Sequence, residues 1–483
     1  MSEQPVHALN VGGHEQTGPT RALASFVARL RYEDIPPEVI TKTKACMLDA
    51  VGCMLFGSTL PWVRIATDVA LEQGGHPQAT IIGTPHRTSV IQAALVNGTA
   101  GHAFELDDAH TGASMHAGSV NVSIVLALGE WLENVSGRDV LTALVAGYES
   151  GLRVGMAGAG NVFKRGFHSA AVCGVFAGAA TAARLLSLDE ERTQHAFGVA
   201  GSLAGGLMAA QEGAMVKRLH AGQAARNGVY GALLARRGFT GITNVLEAPF
   251  GGFFSAMTAH NEPSALTSEL GSRWETLAVG FKPYATAGAI HASLMLLDTI
   301  MRDHNLAAGD IERIEVECTT YCKGHVGWPY APQGVASAQM NMYYALSVMA
   351  LDRAAMIEQF REQRLNDPLI LEFMRRIHIG VDRSFDDLGN PGRYATRLRV
   401  MTRTGTRHER ETLHRPGSPN APLSADRLRE KFKILALYAL EDSAVSELAA
   451  QIDELDRRDT LQSFIRLLCC NQKMEGNRGK KIS

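Results

Sequence analysis

The spacing of apolar residues changes twice along this chain, and that change constrains the fold more than any single motif. From residue 20 to about 230 apolar residues recur at helical spacing, with Leu23, Phe26, Val27 and Leu30 in one stretch and Val39, Met47, Val51 and Leu55 in the next. Only residues 79–83 read as a short strand in that half. At 311–319 (IERIEVECT) and 395–404 (ATRLRVMTRT) apolar and polar residues alternate with β-branched content, as half-exposed strands do. Helical stretches lie between these, at 337–351 and 354–363, and helical period returns at 424–440 and 444–455. A chain of 483 residues exceeds what one hydrophobic core usually supports. The pattern predicts a mainly α protein: a large all-helical domain built from both chain ends (1–270 and 415–470) with a smaller α+β domain (271–414) inserted as a lid. Residues 471–483 are polar and basic without periodicity and are expected to form a disordered tail.

Gly and other small residues crowd the helical half, as at 145–148 and 173–182, and imply helices that approach closely and bury one another. Asp139, Ser169 and Asp189 are placed to act as N-caps, and Pro37 suits a first helical turn.

Lys plus Arg number 47 against 49 for Asp plus Glu, a formal net charge of −2, and no long basic run supplies a footprint for nucleic acid or an anionic membrane. The first 20 residues lack a basic segment followed by an apolar one, and no window reaches about 18 consecutive apolar residues. A cytoplasmic protein with neither partner is expected. The seven cysteines (46, 53, 173, 318, 322, 469, 470) are odd in number and without framework spacing, so they read as reduced thiols. Cys318 and Cys322 lack a second Cys/His pair at zinc-site spacing. No strand precedes Gly155, Gly158 and Gly160, no G-x-G-x-x-G spacing is met, and no G-x-S-x-G elbow occurs. No metal and no cofactor is therefore expected.

Chemistry concentrates first at residues 97–110, where two histidines (His102, His110) and three carboxylates (Glu105, Asp107, Asp108) fall within nine residues. One reading is a metal site built from His102, Glu105, Asp107 and His110, with His102 and Glu105 on one helix face. An aspartate-rich diphosphate box is a second, but Thr111 stands where its distal Asp belongs. A third is plain pairing of the carboxylates with Lys or Arg at a helix end.

Three further places put a cation or potential cation just before a helix start: His116, His168 after Lys164-Arg165, and Lys217-Arg218. A helix N-terminus already carries partial positive charge, so cations there are unfavourable unless an anion sits among them. An anion is therefore expected, and free backbone N–H groups would help to bind its oxygens. Lys282, held by Pro283 at the predicted domain boundary, is a candidate catalytic lysine or substrate clamp.

Taken in order, Asn97-Gly98, His102, Asp107-Asp108, His116, Gly166-Phe167-His168, Lys217-x-Leu219-His220-x-Gly222, Arg226 and Gly280-Phe281-Lys282-Pro283-Tyr284 resemble the MmgE/PrpD family. That family includes 2-methylcitrate dehydratase, cis-aconitate decarboxylase and iminodisuccinate epimerase. The likeness runs from about 20 to about 465 and extends to the Pro-Gly-Ser-Pro segment before Leu423 and to Leu428 through Phe432. It implies a cofactor-independent site in an interdomain cleft of a homodimer, acting on a small di- or tricarboxylate. The resemblance makes His116, His168, Lys217 and Lys282 the catalytic candidates and His102, Asp107, Asp108, Arg218, His220 and Tyr284 the substrate-binding ones. A hydro-lyase on a substrate of the 2-methylcitrate type is the leading expectation, with decarboxylation or epimerisation as alternatives. The chain departs from the family pattern at Ala109 (often Thr), at Ala117 and Ser169 (commonly Pro) and at Arg218 (commonly Pro), which leaves the exact substrate open.

Overall fold

The computed structural model describes residues 18–158 and 160–469. Cys470 and the tail expected to be disordered lie outside the described residues. Helix outweighs strand, 59% to 9%, so the chain is mainly α.

The central helix of the first half, Gly137–Ala157, is buried almost all round, as a helix apolar on every face must be. Around it pack Ala117–Leu132, Gly174–Leu185 and Pro37–Gly57, with Val90–Gly101 and Val216–Arg236 completing the bundle. Small residues set the spacing. A Cβ at Gly222 would lie 2.1 Å from the Leu95 carbonyl, so the Val216–Arg236 and Val90–Gly101 backbones meet only because no side chain stands there. The return segment closes this bundle: Ala425–Ala436 packs on Pro37–Gly57, and Lys431 donates to Asp49 Oδ1 at 2.6 Å across 382 positions.

Caps explain where helices start, with two changes from expectation. Asp189 caps Glu190–Ser202 by accepting from Arg192 N, and Pro37 opens its helix. Asp139 is not an N-cap but the third residue of a capping box whose cap is Ser136. The residue before Ser169–Val172 is His168, with Ser169 already inside the helix.

Eight short strands occur among the described residues: β1 (Ala79–Thr80), β2 (Arg87–Thr88), β3 (Ala109–His110), β4 (Val279–Gly280), β5 (Ile311–Cys318), β6 (Ile377–Val381), β7 (Thr396–Thr402) and β8 (Arg407–Thr412). The last four form one sheet in the order β6-β5-β7-β8, with β5 parallel to β6 and antiparallel to β7. The helix His291–Asp303 covers it. The alternation in the sequence located β5 and β7, and of 79–83 only Ala79–Thr80 is a strand. β8 carries no apolar alternation: its Arg and Glu side chains form an ionic ladder with β7, Arg397 to Glu411 and Arg399 to Glu409, on an edge strand where charge discourages further pairing.

Residues 354–363 are not a helix but two 3₁₀ turns, Glu358–Phe360 and Glu362–Arg364. Side chains take the local backbone groups: Gln359 Oε1 accepts from Met356 N, and Tyr344 Oη donates to Gln359 O. The stretch at 337–351 is split into Val335–Gln339 and Met342–Asp352 by Asn341, whose side chain caps the second helix by accepting from Tyr344 N. Among the described residues no single helix is long and apolar enough to cross a membrane; Pro37–Gly57 and Pro61–Glu72 reach that only as a pair bent by 84°.

Candidate active site

The helix Val90–Gly101 ends where the site begins. His102 is its C-cap, and the next residues are irregular, with Glu105 in the left-handed region at φ 56°. His102 and Glu105 therefore do not share a helix face. Strand β3 then pairs with β4, Ala109 opposite Gly280 and His110 opposite Val279. This two-residue ladder carries Lys282, two positions beyond Gly280, to within 3.0 Å of Glu105 Oε2, although 177 positions separate them.

Glu105 is the hub. Lys217 pairs with its Oε1, Arg218 Nη1 donates to the same oxygen at 2.7 Å, and Lys282 holds Oε2. The anion demanded by the helix-start cations is thus present, and the chain supplies it. Burial alone would raise the Glu105 pKa, but Lys217, Lys282 and Arg218 outweigh burial and hold it well below the usual carboxylate range. Arg218 also donates to Gln339 Oε1, whose amide nitrogen donates to the carbonyls of Phe104 and Ala285.

Asp107 lies beside this hub. Its Oδ2 binds His102 Nδ1 at 2.8 Å and accepts from Ser119 Oγ at 2.9 Å, and its Oδ1 is 3.8 Å from Lys282 Nζ. Burial opposes its charge, and His102 with His116 and Lys282 overcomes that, leaving it well below its ordinary value. Asp108 points elsewhere. It accepts from Gly118 N and from Tyr148 Oη at 2.7 Å, tying the first turn of Ala117–Leu132 to the central helix, and burial pushes its pKa up to about 7.

The histidines form a chain. His102 lies 5.1 Å from His116 and 5.3 Å from His168, ring centre to ring centre, and His168 lies 5.2 Å from His220 with Nδ1 atoms 3.0 Å apart. His116 is the N-cap residue of Ala117–Leu132, and its Nδ1 donates to the Asp108 carbonyl at 2.6 Å. With the proton fixed on Nδ1, Nε2 of the neutral ring carries the lone pair. Burial depresses the His116 pKa to about 3 and that of His220 to about 4, and holds His168 well below its ordinary value. Lys217 is likewise depressed by burial, although Glu105 opposes the shift.

A cavity of about 80 Å³ lies against this constellation. His116, His168, Lys217 and Lys282 all line it, together with Glu105. His102, Asp107, Asp108, Arg218 and His220 do not line it and stand behind residues that do. Tyr284 does not line it either: its ring packs edge-on against His291 at 5.4 Å. Sequence reasoning missed Tyr321, His325, Tyr394 and Arg415, which also line the cavity. Arg415 immediately precedes the Pro-Gly-Ser-Pro segment and could have been found there; Tyr321 and His325 carried no pattern.

The wall bearing Tyr321 is tied to the loop before His116 by Arg393. Its Nη1 donates to Thr111 O at 3.2 Å and Ser114 Oγ at 2.7 Å, and its guanidinium lies 3.8 Å from the Tyr321 ring centre. Arg393→Ala should accelerate hydrogen exchange at residues 111–115 by about 10- to 100-fold, the loss of one charged hydrogen-bonding group and its cation–π contact. Mass spectrometry of the exchanged protein reads this directly; unchanged rates there would refute the bracing role.

Metal-ligand chemistry groups differently from the sequence expectation. The atoms of His102, Asp107 and His116 lie within 4.8 Å of one another. Glu105 is taken up by three cations, and His110 Nε2 faces Glu275 at 3.7 Å instead. The Lys282 ammonium beside Asp107 Oδ1 repels a second cation at that group.

The MmgE/PrpD N-terminal domain matches residues 21–266 and the MmgE/PrpD C-terminal domain residues 284–456. A cis-aconitate decarboxylase of Aspergillus terreus (strain NIH 2624 / FGSC A1156) is 31% identical over 480 residues, covering 95% of this chain and 97% of the relative. A cis-aconitate decarboxylase-like protein, oryM, of Aspergillus oryzae is 33% identical over 466 residues, covering 90% and 96%. The cis-aconitate decarboxylase of Homo sapiens is 27% identical over 451 residues, covering 90% and 92%. With both domains matched and the relatives aligned nearly end to end, the chain belongs to the MmgE/PrpD family.

Proposed function

We propose that the chain is a carboxy-lyase that removes CO2 from cis-aconitate or a close tricarboxylate. The observation that carries this is the convergence of His116, His168, Lys217 and Lys282 on one cavity, in a chain whose full-length relatives are cis-aconitate decarboxylases. Dehydration, the leading expectation from sequence, becomes the second reading, because those relatives favour loss of CO2 while the site chemistry serves either reaction.

In this reading the bond from a methylene carbon to its carboxylate breaks and releases CO2. Its electron pair forms a new C=C bond, and the pair of the old C=C bond moves to the carbon beside a remaining carboxylate. That enolate-like charge is what preorganised cationic donors stabilise, and Lys217 and Lys282 are placed on the cavity wall to do it. The substrate's own conjugation is the electron sink, so the step asks for no cofactor. A proton returned to that carbon completes the reaction. Burial makes the Lys217 ammonium a better acid than a free lysine, and the His116 Nε2 lone pair takes up a proton more readily beside a polyanion.

An 80 Å³ cavity has room for only a handful of waters. In this reading the 271–414 segment acts as a lid that moves over the bound substrate. A homodimer fits the exposed apolar surface formed by Ile65, Val69, Met215 and Val216. The free buried thiols of Cys46, Cys53, Cys173, Cys318 and Cys322 fit a reducing, cytoplasmic setting.

Incubation with cis-aconitate in D2O tests the reaction. The expected result is CO2 and a five-carbon unsaturated dicarboxylate carrying one deuterium beside a carboxylate. A hydrated six-carbon product without CO2 would reinstate dehydration, and deuterium exchange without net change would show proton abstraction beside a carboxylate without loss of CO2.

A further inference from the structure

Arg415 is the one cavity-lining cation that the constellation around Glu105 does not engage. It is 1% exposed. Its only hydrogen bond among the described residues runs from Nη2 to the Ala109 carbonyl at 3.3 Å, a neutral and long contact. Nε and Nη1 have no hydrogen-bond partner among the described residues. Two other buried arginines each face a carboxylate: Arg218 meets Glu105 and Gln339, and Arg153 lies 3.5 Å from Glu149 and donates to the carbonyls of Ser268 and Arg273. A buried guanidinium stays charged, and leaving its donors unmade costs more than for a neutral group.

The surroundings keep the guanidinium free of side chains. A Cβ at Gly280 would stand 3.1 Å from Nη2 and one at Gly288 would stand 3.6 Å from Nε. Gly288, with Ala287 and Ala289, also lines the cavity, so the wall beside Arg415 is made of the smallest residues. Tyr394 lies 5.7 Å from ring centre to Cζ, an aromatic face and not an anion. Burial lowers the Arg415 pKa, with only Tyr394 opposing, in keeping with a cation that lacks a carboxylate.

We propose that Arg415 is the receptor for a second carboxylate of the substrate and sets the preference for a tricarboxylate. This rests on the reading of the site as one for a polycarboxylate. Lys217 and Lys282 take the carboxylate beside the reacting carbon, and Arg415 takes another through charge-assisted hydrogen bonds. A planar guanidinium suits this better than an ammonium, because its donors are fixed in direction.

Binding measured by calorimetry tests the assignment without turnover. The probes are tricarballylate, a saturated tricarboxylate, and glutarate and methylsuccinate, each of which lacks one of its carboxylates. Wild type should prefer tricarballylate. Arg415→Met should weaken tricarballylate about 100-fold, while at least one dicarboxylate, the one lacking the carboxylate that Arg415 holds, should change less than about threefold. Arg415→Lys, which keeps the charge and the stem, should fall between, and guanidinium ion should restore part of the tricarballylate affinity of Arg415→Met. Equal affinity of wild type and both variants for all three probes would overturn the proposal. So would equal weakening of all three, the mark of a merely structural arginine. Failure of wild type to release CO2 from cis-aconitate would remove the decarboxylase reading and leave this result standing on its own.

Discussion

Replacing Lys282 with Met is expected to lower kcat by about 10²- to 10³-fold, the usual loss when one preorganised donor is taken from a developing charge. The same change should lower the midpoint of thermal unfolding. Helix-start cations considered alone would repel one another, and removing one would relieve the fold. The structure reverses that sign because Glu105 is buried among them and Lys282 is the ammonium on its Oε2. Without Lys282 that oxygen keeps a full share of buried charge, while Lys217 and Arg218 still hold Oε1. The cost is about 1–3 kcal/mol, that of one unmet buried polar atom, below that of a wholly broken buried ion pair. Adding Glu105→Gln to Lys282→Met should lower stability further and not restore turnover, because Lys217 and Arg218 would then lose the buried carboxylate they share. Steady-state kinetics and scanning calorimetry on wild type and the two variants check both halves, and a raised unfolding midpoint for Lys282→Met would contradict the account.

The second large effect is on acid stability. Burial lowers the pKa values of His102, His116, His168 and His220, to about 3 for His116 and about 4 for His220. In the unfolded chain each takes up a proton near pH 6.5. Between that pH and the folded values the unfolded state binds more protons, so stability falls as pH falls, by up to about 1.4 kcal/mol per pH unit for each histidine. Glu105 and Asp107, depressed in the fold, add to the loss below their unfolded values near pH 4. Asp108 acts in the opposite sense: raised to about 7, it is neutral in the fold at pH 5 and so favours folding as pH falls from 7 toward 4. Four histidines outweigh it. Denaturant unfolding at pH 7.0 and pH 5.0 should show several kcal/mol less stability at the lower pH, and a polycarboxylate ligand should narrow that gap. Equal stability at the two values would show that the histidines are more accessible to protons than the structure has them.

The helical architecture was legible because burial on all faces writes itself into long apolar runs, and β5 and β7 because one face of each is buried. Strand β8 was not, since its pairing rests on Arg and Glu and leaves no apolar period. Residues 354–363 misread as a helix because Gln359 competes for the backbone, something no periodicity reveals. In the site, His116, His168, Lys217 and Lys282 could be picked out because a cation at a helix start or against a proline is locally anomalous. Glu105 was noticed only as one of a cluster. Its place at the centre depends on the β3 and β4 pairing, which joins segments that nothing in the local sequence links. Tyr284 was drawn in by its neighbour Lys282, yet one turn of backbone sends the two side chains to different surroundings.

The pairing of Asp49 with Lys431 has a temporal side. Asp49 is made 382 residues before its partner, which at about 5–20 residues per second of synthesis is a wait of roughly 20 to 80 s. Through that interval the face of Pro37–Gly57 that Ala425–Ala436 covers in the finished fold is without that cover, and Asp49 has no Lys431 ammonium to meet it. The nascent first half therefore emerges as an unfinished bundle, and this face of it is covered only once Ala425–Ala436 has left the ribosome.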